Sequence, residues 1–272
     1  VPQLEEKAAV IPTRTSGAWA AGAVRLLGEL FLTAGVILVL FIAWQLWWTN
    51  LESAVTQRAA VKDFASQMKS AEVHVATQGD GRDQVSPAAP SLEAEGGYGP
   101  VPSFPEPADG TTIGLLYVPR FGPDYSRPIV QGTGPAVLDS LGIGHYAGTA
   151  MPGGVGNFAV AGHRQTHGAV LDNIDALVSG DRIYVQTVNG FYVYVFRNSQ
   201  VVLPDRTDVL LPVPLQPAAT PTESYLTMTT CNPRFGSQER FVAYALLEQW
   251  RPVSAGAPAE IAAQVQRAMR EE

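Results

Sequence analysis

The chain has 272 residues, of which 46% are hydrophobic and 16% charged, with a formal net charge of −7. That is enough apolar material for one core plus appendages, and an acidic balance without a basic stripe excludes nucleic acid as a partner. The 26 Gly and 21 Pro point to many turns and to a linker.

In chain order, residues 1–28 read as a short cytoplasmic tail. Leu30 to Trp48 carries no charge, and roughly 20 apolar residues cross a bilayer as a helix. A transmembrane signal-anchor is therefore expected over residues 29–50, with Trp44, Trp47 and Trp48 at the headgroup level. The stretch is too long for the apolar part of a cleaved leader, and Trp47-Trp48-Thr49-Asn50 is no small-residue cleavage site. Arg14 and Arg25 before it roughly balance Arg58 and Lys62 after it, so charge alone sets no orientation.

Residues 51–77 carry a partial helical stripe of Leu51, Val55, Phe64, Ala65 and Met68, which predicts a stalk helix or a helix that pairs with a neighbour. Residues 78–108 are rich in Pro and Gly and read as a flexible linker. A folded domain is expected over residues 109–252. Its β-branched runs, Ile113–Val118, Pro128–Gln131, Asn157–Ala161, Arg182–Thr187, Phe191–Val202, Ser224–Thr230 and Arg240–Glu248, favour a mostly β barrel or sandwich. Asn189-Gly190 is a strong hairpin signal. Short helices are predicted at Ala136–Leu141 and Val170–Val178, and residues 253–272 form a tail with a helix over Pro258–Arg270.

Cys231 is the single cysteine and ends one strand-like run. His163 follows another, and Arg240 opens the next. A thiolate is a nucleophile, an imidazole protonates a leaving amine, and a guanidinium donates hydrogen bonds to an oxyanion. The three together suit acyl transfer from a peptide bond. Taken singly, each residue has an ordinary structural explanation, since a lone cysteine is most often a small buried hydrophobe. His163 and His167 are four apart, but no further ligand surrounds them in sequence, so no metal is expected.

Ser224–Cys231 with Arg240 resembles the sortase signature, a Thr-rich strand ending in Cys with Arg on the next strand. Gly142–Gly153 and Asn157–Arg164, followed by Gly168 and Asp172–Leu177, resemble the stretches around the family's histidine. Ala147 and Met228 depart from the usual residues. The likeness covers nearly all of residues 110–250 and is greatest to class E, the housekeeping type of high-GC Gram-positive bacteria.

The resemblance implies an eight-stranded sortase β-barrel with short helices behind one N-terminal transmembrane helix. It implies Cys231 as nucleophile, His163 as general acid and base, and Arg240 as oxyanion and substrate clamp. Thr230 would line the oxyanion site, and His145 and Tyr146 the substrate wall. Arg164 would be structural or lie at the groove rim, and Val202–Glu223 would be the groove loop. The implied reaction cuts an LAXTG- or LPXTG-like motif of surface proteins between Thr and Gly. The acyl group then passes to a peptidoglycan precursor amine outside the plasma membrane, without a cofactor. A pilin-polymerising sortase and a non-catalytic, membrane-tethered peptide-binding domain remain alternatives. An L,D-transpeptidase does not fit, because Cys231 lies between Thr-Thr and Asn-Pro.

Overall fold

The computed structural model describes residues 16–77, 98–102 and 104–270. Residues 1–15 of the tail expected over 1–28, and residues 78–97 of the linker expected over 78–108, lie outside them. The chain divides into two units, Val1–Trp47 and Trp48–Glu272, and helix α1 (Ser16–Thr77) contributes to both.

In the first unit, Ala21–Trp44 has a mean hydropathy of 2.5 and none of it is buried. Leu30, Phe31, Leu32, Val39, Leu40 and Phe41 are all exposed, so apolar side chains point in every direction. A helix of this length that is apolar all round suits lipid. The span begins earlier than residue 29 because Val24, Leu26 and Leu27 extend it, across an Arg25–Glu29 pair one turn apart.

The second unit is a closed barrel. Its strands are β1 (Thr112–Tyr117), β2 (Ser126–Gln131), β3 (Ile143–His145), β4 (Gly156–Ala161), β5 (Arg182–Gln186), β6 (Gly190–Val202), β7 (Ser224–Asn232) and β8 (Glu239–Pro252). They run around the barrel as β1-β2-β3-β4-β7-β8-β6-β5. Two neighbour pairs are parallel, β2 with β3 and β4 with β7. Short helix α2 (Pro135–Leu138) lies between β2 and β3, and α3 (Ala262–Arg270) follows the barrel. Closure leaves no open strand edge to aggregate.

Alternation along the strands divides the core. Leu116, Phe158, Tyr192, Tyr194, Leu226 and Met228 fill the inner cluster. The intervening residues Leu115, Tyr117, Tyr184, Phe191 and Val193 face outward, yet they are buried too. Their cover is Val61, Phe64 and Met68 of α1, with Ile261, Val265 and Ala268 near the C-terminus. Strands buried on both faces read as continuous apolar runs, which explains the Phe191–Phe196 sequence.

The segment expected as a stalk helix, or as one that pairs with a neighbour, therefore has a buried face. Ser53, Gln57 and Ala60 are buried with Phe64, whereas Leu51 and Val55 are exposed. The end of the expected linker is also tied down. Val101 and Phe104 pack on the inner cluster, and Trp250 Nε1 donates to the Gly99 carbonyl at 2.9 Å.

Candidate active site

Strand register assembles the site. In the parallel pair of β4 and β7, Ala161 lies beside Thr229. The pairing runs one step further, since Gly162 N donates to the Thr229 carbonyl at 3.1 Å. His163 follows Gly162 directly, at the end of β4 that lies nearest Cys231. Gly162 has no room for a side chain, because a Cβ there would lie 2.7 Å from Val170 Cγ2. On the other side of β7, Cys231 is the antiparallel partner of Arg240, and directly opposed residues present their side chains to the same face. Cys231 is half-buried, as an accessible thiol must be. Arg240 Nη1 donates to the Ser237 and Glu239 carbonyls, each at 2.9 Å, which anchors its guanidinium at the β7–β8 turn.

Asp139, for which the sequence suggests no role, and Arg164, expected to be structural or at the groove rim, support this group. Asp139 caps the C-terminal end of α2, and its Oδ1 lies 2.7 Å from His163 Nε2. A carboxylate so placed fixes one ring nitrogen and orients the other. No sequence motif signals Asp139, which is 24 residues from His163. Arg164 is 4% exposed and so lies beneath the surface, not at a rim. It reaches the Asn232 Oδ1 at 2.7 Å and the Cys231 carbonyl at 3.5 Å. It also pairs with Asp175 at 2.8 Å and lies 5.7 Å from the Phe241 ring centre. It thus braces the end of β7 that carries the thiol.

Thr230 and His145 depart from expectation. Thr230 is buried, and its hydroxyl donates to the Gly162 carbonyl at 2.6 Å. It ties β7 to β4 behind the nucleophile instead of lining an oxyanion pocket. His145 is fully buried and cannot touch a substrate. Its Nδ1 lies 2.8 Å from Gln131 Oε1, and its Nε2 lies 2.9 Å from Thr149 Oγ1. It is a polar core residue, stacked on Phe158. Tyr146, half-exposed, shares a hydrogen bond with Thr229 Oγ1 at 2.9 Å and stays on the outer wall.

Burial pushes the His145 pKa below its ordinary 6.5, so the folded state resists the proton that the unfolded chain accepts. Stability contributed by neutral His145 is therefore present above about pH 6.5 and lost as the pH falls below it. A slope of at most about 1.4 kcal/mol per pH unit is expected from this group. Melting curves between pH 7.5 and 5 should show a shallower acid loss for His145→Gln than for the parent. Identical pH dependence would exclude this role for His145.

The Val202–Glu223 connection is pinned to the barrel. Asn157 Nδ2 donates to the carbonyls of Val209 and Leu211, each at 3.1 Å, while Thr227 holds Asn157 Oδ1 at 2.7 Å. The connection is a fixed wall beside β4 and β7. A pocket of about 360 Å³ opens by Tyr225, Tyr244 and Leu215. Along β7 it reaches from Tyr225, about 20 Å from Cys231 by strand rise, to Tyr244, which pairs with Thr227.

Comparison with known proteins points to one family. Residues 116–248 match the family model described as the Sortase domain. Sortase SrtE1 of Streptomyces coelicolor is 35% identical over 242 residues, spanning 86% of this chain and 60% of SrtE1. Sortase SrtE2 of the same organism is 32% identical over 243 residues, spanning 86% of this chain and 85% of SrtE2. The crystal structure of S. coelicolor sortase E1 with a tripeptide in the active site superposes with a TM-score of 0.51. It is 38% identical and covers 56% of this chain and 97% of that one.

Proposed function

This chain belongs to the sortase family, and from that premise we propose that it is a membrane-anchored cysteine transpeptidase acting on C-terminal sorting motifs. The observation that supports the reading is the register of β7 with its two neighbours near Cys231. Cys231 pairs with Arg240 across one edge, and on the other β4 pairs with β7 up to Ala161 beside Thr229, two residues before His163.

In this reading the Cys231 thiolate attacks the Thr carbonyl carbon of an LAXTG- or LPXTG-like motif. The oxyanion is met by Arg240, whose Nε and Nη2 remain as donors while Nη1 holds the turn. His163 gives its proton to the Gly nitrogen, the C–N bond breaks, and a thioester stays on Cys231. An acceptor amine then loses its proton to His163 and attacks the thioester, and the thiolate leaves. Asp139 orients the His163 ring throughout. Tyr146 and the 202–223 connection form the wall along which the motif lies. The tripeptide in the active site of sortase E1 supports a peptide substrate here. The Ala21–Trp44 helix supports anchoring, with the N-terminus cytoplasmic, the barrel outside, and a peptidoglycan precursor supplying the amine.

The test uses the full chain in detergent micelles, a quenched motif peptide and an amine acceptor. Mass spectrometry should find the acyl-enzyme on Cys231 and the Thr-amine product, and Cys231→Ala should lose both. A lysine side-chain amine preferred as acceptor would shift the reading to pilin polymerisation. A folded protein that binds the peptide yet forms neither species would overturn catalysis in favour of a binding domain.

A further inference from the structure

The structure gives the His163–His167 pair an acidic companion that sequence spacing does not reveal. Asp139, His163 and His167 bring one ligand atom each to within 4.8 Å of one another. His163 Nε2 is 2.7 Å and His167 Nε2 4.0 Å from the same oxygen, Asp139 Oδ1. The two rings lie 4.9 Å apart, tilted by 34°. His167 Nδ1 lies 3.0 Å from the backbone carbonyl of Asp139. A carbonyl only accepts, so Nδ1 donates to it, which leaves Nε2, on the side of Asp139 Oδ1, as the nitrogen a metal would take. That outer hydrogen bond is how metal-binding histidines usually have their tautomer fixed.

We propose that Asp139, His163 and His167 form a site for a borderline divalent cation of the Zn²⁺ type, and that its occupation silences His163. Zn–N and Zn–O bonds of about 2.0–2.2 Å in a tetrahedron put ligand atoms about 3.3 Å apart. The 2.7 Å pair must open and the 4.0 Å pair must close, each by well under 1 Å. All three side chains are partly solvent-exposed, which gives the ion an entry path and leaves its fourth position to water. Two imidazoles and one carboxylate favour Zn²⁺ over Mg²⁺ or Ca²⁺, which take oxygen ligands.

The consequence for chemistry is direct. Binding replaces the hydrogen bond between Asp139 and His163 with two metal bonds. The metal displaces to solvent the proton that His163 Nε2 gives to Asp139 and takes that lone pair, so the ring's remaining proton sits on Nδ1. An imidazole in that state has no lone pair with which to accept a proton from a thiol or an amine. The inhibition rests on the transpeptidase reading above, whereas the binding does not.

Binding is measured first, by calorimetry of Zn²⁺ into the full-length Cys231→Ala protein in detergent. This background removes any chelate between thiol and imidazole. One Zn²⁺ per chain is expected, weakened at least about tenfold in His167→Asn and in Asp139→Ala, and unaffected by excess Mg²⁺. Asn is chosen at position 167 because the backbone there has φ of 52°, which Asn tolerates. Melting curves confirm that each variant is folded. Binding that survives His167→Asn, or that requires Cys231, would overturn the site. The second measurement is the ratio of turnover with and without Zn²⁺, so that any basal change cancels. His167→Asn should need at least about tenfold more Zn²⁺ for half-inhibition. Stoichiometric binding without inhibition would refute the silencing of His163.

Discussion

A fragment that begins at residue 98 is expected to be unfolded or aggregated at temperatures where one beginning at residue 48 is native. Both carry the whole barrel, but the shorter one lacks Val61, Phe64 and Met68, which are at most 6% exposed. Each such side chain contributes about 1.5–3 kcal/mol on burial. The three together approach the 5–15 kcal/mol that holds a typical domain together. The loss also uncovers Leu115, Tyr117, Phe191 and Val193, an apolar patch on the outside of the barrel. Near the active site it cuts the hydrogen bonds from Ser53 Oγ to the Asp139 carbonyl at 2.8 Å and from Gly168 N to Asn50 Oδ1 at 2.8 Å. Differential scanning calorimetry of the two fragments decides the matter. Transitions within a few degrees of each other would sink the idea. Phe64→Ala in the full chain isolates the largest contact, with an expected cost of about 3–5 kcal/mol.

The same helix marks how far the sequence could be read. Its apolar stripe was visible at Phe64, Ala65 and Met68, and those residues are buried. Upstream, the contact face is made by Asn50, Ser53 and Gln57, which dock through hydrogen bonds. A polar docking face has no hydropathy signal, so Leu51 and Val55 were the natural and mistaken choice for that turn. Seven strands were legible because β-branched and aromatic runs lie between Gly and Pro. The eighth, Ile143–His145, has three residues and no alternation, and it exists because β2 and β4 flank it.

Within the site, what was legible was the set of residues whose chemistry is rare in one chain: a lone cysteine, a strand-end histidine and a strand-end arginine. Hydroxyl and imidazole groups can serve a core as well as a substrate, and Thr230 and His145 went to the core. Asp139 and Arg164 gain their meaning from tertiary placement. One comes from a helix between β2 and β3, and the other lies one residue past His163 but turns beneath the surface toward Cys231.

That inward turn makes Arg164 a residue whose loss should cost both stability and turnover, although it is not expected to touch substrate. Arg164→Ala removes charge-assisted bonds to Asn232 and to the Cys231 carbonyl and leaves a gap beneath Phe241. Asp175, its ion-pair partner, is half exposed, so water replaces much of that pairing and it adds little. The buried bonds and lost packing are expected to cost about 2–4 kcal/mol. That corresponds to a melting temperature lower by roughly 5–15 °C in a domain of this size. Turnover at temperatures where the variant is still fully folded should fall by about 100-fold, since the nucleophile is misplaced by a fraction of its reach. The loss should appear in kcat more than in KM, because Arg164 supports the thiol and not the peptide wall. Arg164→Lys would restore the charge without the planar fork that spans Asn232 and Asp175, and should recover little of either quantity. A folded Arg164→Ala variant with unchanged kcat would reduce Arg164 to a packing residue, and the bracing of Cys231 would then have to come from Thr230 and the β7–β8 pairing alone.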